Sequence, residues 1–197
     1  MNKKMLKAAL AGLVLSVSGF ANAGLITGVG STLDSIGGGS LIDFTGISGS
    51  YTSLTIDNVT FISNGFSIDD NFNGNYNMVD RHFTDTNATE ITFQFDSIIT
   101  AFSFIHGASD NITSLSAYNG VNLIESFAIG NSKGSNDFKY WGLSNSGMTS
   151  AVISFSSADY IFIDNFAYKS VDVPEPSTLA ILALGIMGLA SRRFKKQ

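Results

Sequence analysis

Aspartate and asparagine side chains dominate the stretch from Asp69 to Asp80, which reads DDNFNGNYNMVD. A twelve-residue calcium loop takes oxygen ligands from positions 1, 3, 5, 7 and 12 and turns sharply at a glycine in position 6. Gly74 lies at position 6 when Asp69 is counted as position 1. The candidate ligands are then Asp69, Asn71, Asn73, Asn75 and Asp80. Because only two of them are carboxylates, the pattern predicts a weak Ca²⁺ site, with a Kd of about 10⁻⁴ to 10⁻³ M.

The same stretch departs from a calcium loop in two ways. Asp80 stands where such loops have a bidentate glutamate, and the flanking residues 60–67 and 83–95 have strand or loop patterns instead of helical ones. Asparagine-rich segments also form hairpin turns, in which the side chains bond to the neighbouring backbone. A calcium site and a hairpin turn are therefore both open for this stretch, and we expect no other metal or cofactor.

Residue types that carry catalysis are scarce. The chain has two histidines, His82 and His106, no cysteine, and neither a Gly-x-Ser-x-Gly nor a His-Glu-x-x-His motif. A glycoside hydrolase needs only two facing carboxylates, but most aspartates lie in turn-like contexts, and Glu90 and Glu125 are the only glutamates before the C-terminal segment. We therefore expect a non-catalytic protein, with a secreted polysaccharide-degrading hydrolase of jelly-roll architecture as the alternative.

Short apolar runs of strand type fill the chain between its two ends. Apolar and polar residues alternate in Ile91-Thr-Phe-Gln-Phe95, in 54–56 and in 59–61, so that one row of side chains faces a core. Richer runs at 98–105 and 160–163 are typical of central strands. The sixteen phenylalanines suit the interface between two sheets. The pattern predicts an all-β body, an antiparallel β-sandwich of jelly-roll type with about ten strands.

Clusters of glycine, serine and asparagine separate these runs and predict the hairpin turns. They lie at residues 37–40, 63–65, 109–111, 119–120, 130–136 and 144–147.

Two further features have alternative interpretations. Tyr140 and Trp141 suit either an exposed platform for sugar stacking or the core. Asp164-Asn165, inside the last apolar run, suits either a metal or sugar contact or buried polar groups that bond to the backbone.

The first 23 residues have the pattern of a secretory signal peptide. Three lysines within residues 1–7 precede an apolar run at 8–20 and the small-x-small sequence Ala21-Asn-Ala23. The mature body, residues 24–172, should therefore start near Gly24 outside the cytoplasm. Residues 24–173 hold four basic and fifteen acidic residues, a net charge of −11. Such a surface repels nucleic acids, so we expect no nucleic-acid partner.

Residues 173–197 combine three features in a fixed order. Pro174, Glu175 and Pro176 form an extended acidic triplet, because proline fits neither a helix interior nor a central strand. An apolar segment and a basic tail follow it. The apolar side chains of this predicted membrane segment include Leu179, Ile181, Leu182, Leu184, Ile186 and Leu189. The basic tail, which the positive-inside rule keeps in the cytoplasm, contains Arg192, Arg193, Lys195 and Lys196.

This order of triplet, apolar helix and basic cluster resembles the PEP-CTERM sorting signal of Gram-negative bacteria. The resemblance implies export, transient retention in the inner membrane, and processing by an exosortase that recognises Pro174, Glu175 and Pro176. It further implies a place at the cell surface or in the extracellular matrix, since such proteins are associated with exopolysaccharide and biofilm. We therefore expect an exported surface or matrix protein whose β-sandwich binds extracellular polysaccharide.

Replacing Pro174, Glu175 and Pro176 together by alanine should leave removal of the signal peptide unchanged. The uncleaved form should then accumulate in the inner membrane, because the processing enzyme loses its recognition motif. Immunoblots of membrane and released fractions over time measure this accumulation. Processing and release of the triple variant at the wild-type rate would contradict the role of the triplet.

Overall fold

The computed structural model describes residues 24–131 and 138–171, and nearly all of its regular structure is β. The strands are β1 (Gly24–Val29), β2 (Ser40–Ile42), β3 (Gly49–Ile56), β4 (Val59–Asp69), β5 (His82–Gly107), β6 (Ile112–Asn119), β7 (Asn122–Phe127) and β8 (Lys139–Ser170). One short helix, α1 (Thr32–Ser35), follows β1, and the Ser31 side chain accepts a hydrogen bond from the Asp34 amide at its N-terminus. The expected all-β class is confirmed.

The strands form one antiparallel sheet with the order β3-β4-β5-β8-β6-β7, to which β1 and β2 add by pairing with β8. Two strands are much longer than the others and bend. Phe102 of β5 pairs with both Leu143 and Tyr168 of β8, and Ile163 of β8 pairs with both Phe83 and His106 of β5. The later half of each long strand therefore lies between the two halves of the other, and the sheet nearly closes on itself.

The long strands differ from the shorter strands and turns that the sequence predicts. Residues 91–95 and 98–105, predicted as separate strands, both lie in β5. Two predicted hairpin turns are wrong: residues 144–147 lie inside β8, and residues 63–65 form a bulge inside β4. Turns at 37–39 and 119–120 agree with the prediction. The described residues consequently contain eight strands where about ten were expected.

Phenylalanine rings fill the core that the nearly closed sheet surrounds. Phe166 of β8 is fully buried, and its ring centroid lies 4.8 Å from that of Phe93 and 5.3 Å from that of Phe61. Phe102 and Phe104 stack nearly parallel to it, at 5.9 and 6.1 Å. Offset and edge-on ring pairs at such distances add to the stabilisation from burial. The expected aromatic core is thus present and centres on one residue of β8.

A bulge at Asp164-Asn165 sets the position of Phe166. Side chains alternate along a strand, yet Ile163 and Phe166 are both buried in the core, so one extra residue must lie between them. Asn165 adopts a φ of 48°, a left-handed conformation that asparagine tolerates better than most residues. The Asn165 carbonyl accepts a hydrogen bond of 2.7 Å from the Thr32 hydroxyl, which holds α1 against the bulge.

The Asp164 side chain closes the bulge and bonds to the β4–β5 connection. It is 1 % exposed, and its two oxygens accept hydrogen bonds from the Asn165 amide at 2.7 Å and the Val79 amide at 3.1 Å. For Asp164, these bonds to the backbone confirm the interpretation as a satisfied buried polar group. Burial raises the pKa of Asp164 to about 7, in part opposed by the two amide donors.

This raised pKa predicts how stability depends on pH. The folded protein holds the Asp164 proton up to about pH 7, whereas an unfolded chain releases it near pH 4. Between these values the folded state binds more protons, so Asp164 lowers the free energy of unfolding by about 1.4 kcal/mol per pH unit as the pH rises. Asp164→Asn stays uncharged at every pH, so it should remove this pH-dependent loss of stability. Urea titrations at pH 5 and pH 8 measure the free energy of unfolding of both proteins.

His82 contributes with the opposite sign, because burial lowers its pKa and stability is lost as the pH falls below its ordinary value. That contribution is common to both proteins. The difference between wild type and Asp164→Asn therefore isolates the carboxyl group. An equal loss of stability between pH 5 and pH 8 in both proteins would show that Asp164 does not titrate in this range.

Candidate functional site

Residues 70–81, between β4 and β5, form a compact loop of successive turns. The Asn73 amide donates to the Asp70 carbonyl, the Asn75 amide to the Phe72 carbonyl, and the Gly74 amide to the Met78 carbonyl, all at 2.9 to 3.1 Å. Gly74 has a φ of 80°, which a side chain would disfavour. The sharp turn expected at this glycine is therefore present.

The predicted calcium ligands of this loop take part in its own hydrogen bonds. Asp69 accepts from the Asn71 amide at 3.1 Å and from the Ser67 hydroxyl, and the Asn73 side chain accepts from the Asp80 amide at 3.0 Å. Residues 24–131 and 138–171 contain no group of three or more His, Cys, Asp or Glu placed to hold a metal ion. These bonds are those of an asparagine-rich turn. A Ca²⁺ site formed mainly by amide and backbone oxygens stays a prediction.

The loop places two aromatic side chains on the outer face of β8. The ring centroid of Phe72 lies 4.4 Å from that of Phe162, and the Tyr76 centroid lies 5.5 Å from it. Phe162 is buried beneath them, with Met78 and Ile105, in a small cluster separate from the main core. The loop thus covers an apolar part of the sheet that would otherwise face water.

Three contacts fix the position of the loop. The Val79 amide donates to Asp164, and the Asn77 side-chain oxygen accepts from the Phe138 amide at 2.9 Å. At Gly107, the end of β5, a Cβ atom would lie 2.2 Å from the Tyr76 carbonyl oxygen, so only glycine permits the approach. These contacts hold Phe72 and Tyr76 in place before any ligand arrives.

The loop, residues 108–110 and β8 together line a cavity of about 390 Å³. We call it the aromatic pocket; it is lined by Phe72, Tyr76, Ala108, Asp110, Asp159, Tyr160 and Phe162. Tyr160 is 51 % exposed and stands at its rim. A concave site with apolar rings and a few polar groups is the usual form of a small-molecule site.

The two carboxylates of the aromatic pocket differ in their roles. Asp159 is buried, and one oxygen accepts from the Ser109 hydroxyl and from the amides of Asp110 and Asn111, at 2.8 to 2.9 Å. Its other oxygen accepts from the Tyr160 amide at 2.8 Å. Asp159 therefore fixes the loop after β5, and the half-buried Asp110 is the second carboxylate at the surface of the pocket.

Other residues singled out in the sequence lie elsewhere. Trp141 is buried in the main core and Tyr140 is half-buried beside Phe162, so the core interpretation is correct and they form no exposed stacking platform. His82 and His106 are both buried among aromatic rings. The signal peptide, the Pro-Glu-Pro triplet, the apolar segment and the basic tail lie outside the described residues.

Within the part of the chain that the structure describes, no helix has the length and hydropathy needed to cross a bilayer. The predicted membrane segment belongs to the residues outside that part.

Sequence reasoning missed Phe72, Tyr76 and Tyr160 as site residues. Phe72 and Tyr76 are the aromatic residues of the predicted calcium loop, and Tyr160 begins a run assigned to a central strand. Large rings in an otherwise polar loop were an available signal, because a loop has no core of its own to bury them. Their meeting with Tyr160 depends on the pairing of β5 with β8 and has no local signature.

The fold and the pocket define a β-sheet protein with a concave aromatic site. In the C-terminal segment, residues 172–196 match the family model of the PEP-CTERM protein-sorting motif. This match confirms the predicted sorting signal. No curated protein matches the chain.

Two solved structures align with 67 % of this chain and 94 % of their own. One is CsCBM6-3 from Clostridium stercorarium in complex with cellobiose, at 17 % identity and a TM-score of 0.34. The other is a family 6 carbohydrate-binding module whose binding sub-sites were dissected by crystallography and calorimetry, at 18 % identity and a TM-score of 0.32. At these values the likeness assigns neither fold nor ligand to this chain.

The contact at Gly107 predicts the effect of one added methyl group. Gly107→Ala should lower the free energy of unfolding by about 1 to 3 kcal/mol, the usual cost of overpacking, because the Tyr76 carbonyl must move away. Calorimetric melting of the full-length protein measures this change. Gly65→Ala is the matched control, since its Cβ would meet nothing within 4 Å and should change stability little. Equal melting temperatures for the two variants would contradict the close contact.

Proposed function

We propose that the body of this protein is a non-catalytic module that binds uncharged glycans outside the cell, with the aromatic pocket as its binding site. The observation that carries this proposal is the pocket itself, in which rings from the β4–β5 loop and from β8 converge beside two carboxylates. The PEP-CTERM signal separately marks the protein for export and for sorting by an exosortase.

The chemistry of the aromatic pocket suits a sugar ring. Sugar rings have C–H faces that pack on aromatic rings and hydroxyl groups that need hydrogen-bond partners. Tyr160 and Tyr76 offer both a ring and a phenolic hydroxyl, and Asp110 offers a carboxylate acceptor. A volume of about 390 Å³ accommodates one or two sugar units of a longer chain, in the size range of small-ligand sites.

The negative charge of the body favours uncharged glycans over anionic ones. Residues 24–173 carry a net charge of −11, and the aromatic pocket itself contains two carboxylates and no basic residue. Anionic polysaccharides would approach against this field, whereas uncharged ones would not. The proposed ligand is therefore a neutral exopolysaccharide, which places the processed protein at the cell surface or in a polysaccharide matrix such as a biofilm, after transient retention in the inner membrane.

The arrangement of the carboxylates favours binding over hydrolysis. Glycoside hydrolysis needs two carboxyl groups that face the scissile bond from two sides. Asp159 accepts four hydrogen bonds from its own loop and strand, so it is engaged in holding the pocket together. Asp110 alone cannot supply both the acid and the second carboxylate. Cleavage of matrix polysaccharide by the purified protein would overturn this part of the proposal.

Two finer predictions stay with this proposal. The jelly-roll arrangement of the sandwich is supported by the near closure of the sheet around the phenylalanine core. Weak binding of Ca²⁺ by residues 69–80 is supported by the turn at Gly74, and it would brace the same loop that carries Phe72 and Tyr76.

Titration of the full-length protein with a panel of uncharged and anionic hexose oligosaccharides tests the site. Uncharged oligosaccharides should shift the amide NMR signals of Ala108 and Tyr160, and anionic ones should bind more weakly. Tyr160→Ala should weaken binding at this pocket about 30-fold, since truncating an aromatic hot spot costs about 2 kcal/mol. Because Tyr160 is 51 % exposed, the fold should tolerate the change.

Leu123→Ala is the matched control for Tyr160→Ala. Leu123 is 56 % exposed on β7, away from the aromatic pocket, so its truncation should leave affinity and melting temperature unchanged. Binding that persists at full strength in Tyr160→Ala, with the same signals shifted, would exclude the aromatic pocket as the site.

A further inference from the structure

A second and larger cavity lies on the sheet where β3, β4 and β5 run side by side. It has a volume of about 560 Å³, and we call it the hydroxyl groove. Its lining residues are Ser50, Tyr51, Thr52, Gly65, Phe66, Ser67, Thr84 and Thr86. Six of these eight residues carry a hydroxyl group and none carries a charge, which is unusual for a body with fifteen acidic residues.

Three of the hydroxyl residues form one row across the strands. Ser50 of β3 pairs with Ser67 of β4, and Ser67 pairs with Thr84 of β5. Phe66 and Phe83, which precede Ser67 and Thr84, belong to the main core. Because successive side chains point to opposite faces, the row lies on the outer face of the sheet.

A bulge in β4 forms the groove beside this row. Phe66 pairs with Tyr51, and Ile62 pairs with Ser53, so β4 has three residues, 63–65, opposite a single residue of β3. Side-chain bonds hold the bulge to β5: the Ser63 hydroxyl donates to Asp85, and the Asn64 amide group donates to the Asn87 carbonyl at 3.0 Å. The wall of the groove is therefore fixed in the free protein, which lowers the cost of binding a ligand.

One buried hydroxyl group in the groove, that of Thr84, lacks a hydrogen-bond partner within the part of the chain that the structure describes. Thr84 is 4 % exposed, and its hydroxyl oxygen has no partner among the described residues. A buried hydroxyl without a partner destabilises a fold, and Val would fill the same space in a strand without that cost. The oxygen is closed to solvent in the free protein, and a turn of the side chain about χ1 would bring it to a ligand in the groove. A hydroxyl group in the wall of the groove is explained by a ligand that bonds to it in this way.

We propose that the hydroxyl groove is a second saccharide-binding site, which takes an uncharged sugar unit through hydrogen bonds to Thr84 and the neighbouring Ser and Thr hydroxyls. This inference takes its ligand class from the proposed function but uses different residues on a different part of the sheet. Serine and threonine hydroxyls both donate and accept, which matches the hydroxyls of a sugar. The absence of charge in the lining of the groove excludes the strong pairing that an anionic or cationic ligand needs.

The position of the hydroxyl groove supports a role alongside the aromatic pocket. Thr84 pairs with Ser67 on one side and with Phe162 on the other, and Phe162 lies at the base of the aromatic pocket. The two sites therefore lie on the same outer surface, on adjacent strands. A polysaccharide chain could contact both, and binding through two linked sites raises the overall affinity.

Chemical-shift mapping of the full-length protein with uncharged hexose oligosaccharides of three to six units tests the proposal. The amide signals of Gly65, Ser67 and Thr84 should shift along a saturable curve. Signals of Ala108 and Tyr160 report on the aromatic pocket in the same titration. The Tyr160→Ala protein should keep the shifts at Gly65 and Thr84, because the two sites share no lining residue.

Two substitutions in the hydroxyl groove separate a binding role from a structural one. Thr84→Val should raise the melting temperature by about 2 to 4 °C, because it removes an unpaired buried hydroxyl, and should weaken binding at the groove about tenfold. Gly65→Leu should abolish binding at the groove by filling it. The Cβ atom at residue 65 would meet nothing within 4 Å, so the fold should tolerate the change. Leu123→Ala, outside both sites, is the control that should bind normally.

The pattern of NMR signal shifts tests the aromatic pocket and the hydroxyl groove separately. Shifts at Ala108 and Tyr160 alone, or full binding at the groove by Gly65→Leu, would overturn the second site and leave the proposed function standing. Shifts at Gly65 and Thr84 alone would support the second site and overturn the aromatic pocket. A lower melting temperature for Thr84→Val would also count against the proposal, since it would show that the hydroxyl has a partner within the protein.

Discussion

The bulge at Asp164-Asn165 joins the core of this protein to its surface. On its inner side it shifts the alternation of β8 so that Phe166 reaches the centre of the phenylalanine core. On its outer side the Asp164 carboxyl group holds the Val79 amide, and with it the loop that carries Phe72 and Tyr76. A regular strand could not provide both, because it would turn either Ile163 or Phe166 towards water. The aromatic pocket therefore exists because the main core is packed in this register.

A second bulge adjoins the hydroxyl groove. The bulge of β4 at residues 63–65 forms one wall of the hydroxyl groove, and side chains of Ser63 and Asn64 hold it to β5. A regular antiparallel sheet presents an even surface without concave sites, whereas an extra residue bends the strand and opens space beside it. The cost is a set of backbone groups that lose their ladder partners. In the bulge of β8 the Asp164 carboxylate accepts from the Asn165 amide, and in the bulge of β4 the Ser63 hydroxyl accepts from the Gly65 amide at 3.1 Å.

The sequence predicts the class of the fold and the sorting segment better than it predicts the site. Alternating apolar residues at 91–95 and the aromatic composition are local signals, and they led correctly to an antiparallel sheet with an aromatic core. The clusters at 63–65 and 144–147 contain the same Ser, Asn and Gly that form hairpin turns, yet they lie within strands. Local chemistry does not separate a turn from a bulge, because the outcome depends on which distant strand pairs alongside. The aromatic pocket was missed for the same reason, since Tyr76 and Tyr160 meet only through the pairing of β5 with β8.

The sorting signal and the proposed binding surface are joined through a single strand. β8 carries Tyr160 and Phe162 of the aromatic pocket, then the bulge and Phe166, and it continues to Ser170, next to the segment that matches the sorting motif. Its last part is paired on both sides, with β5 through Tyr168 and Phe102 and with β2 through Tyr168 and Ser40. A tether that follows residue 171 would pull β8 along its own direction. The hydrogen bonds to both neighbouring strands are perpendicular to that direction, so they would resist the force together. A glycan held at the pocket would load the same strand at Tyr160 and Phe162. The placement of site and signal on β8 thus suits a protein that holds a polysaccharide against a surface.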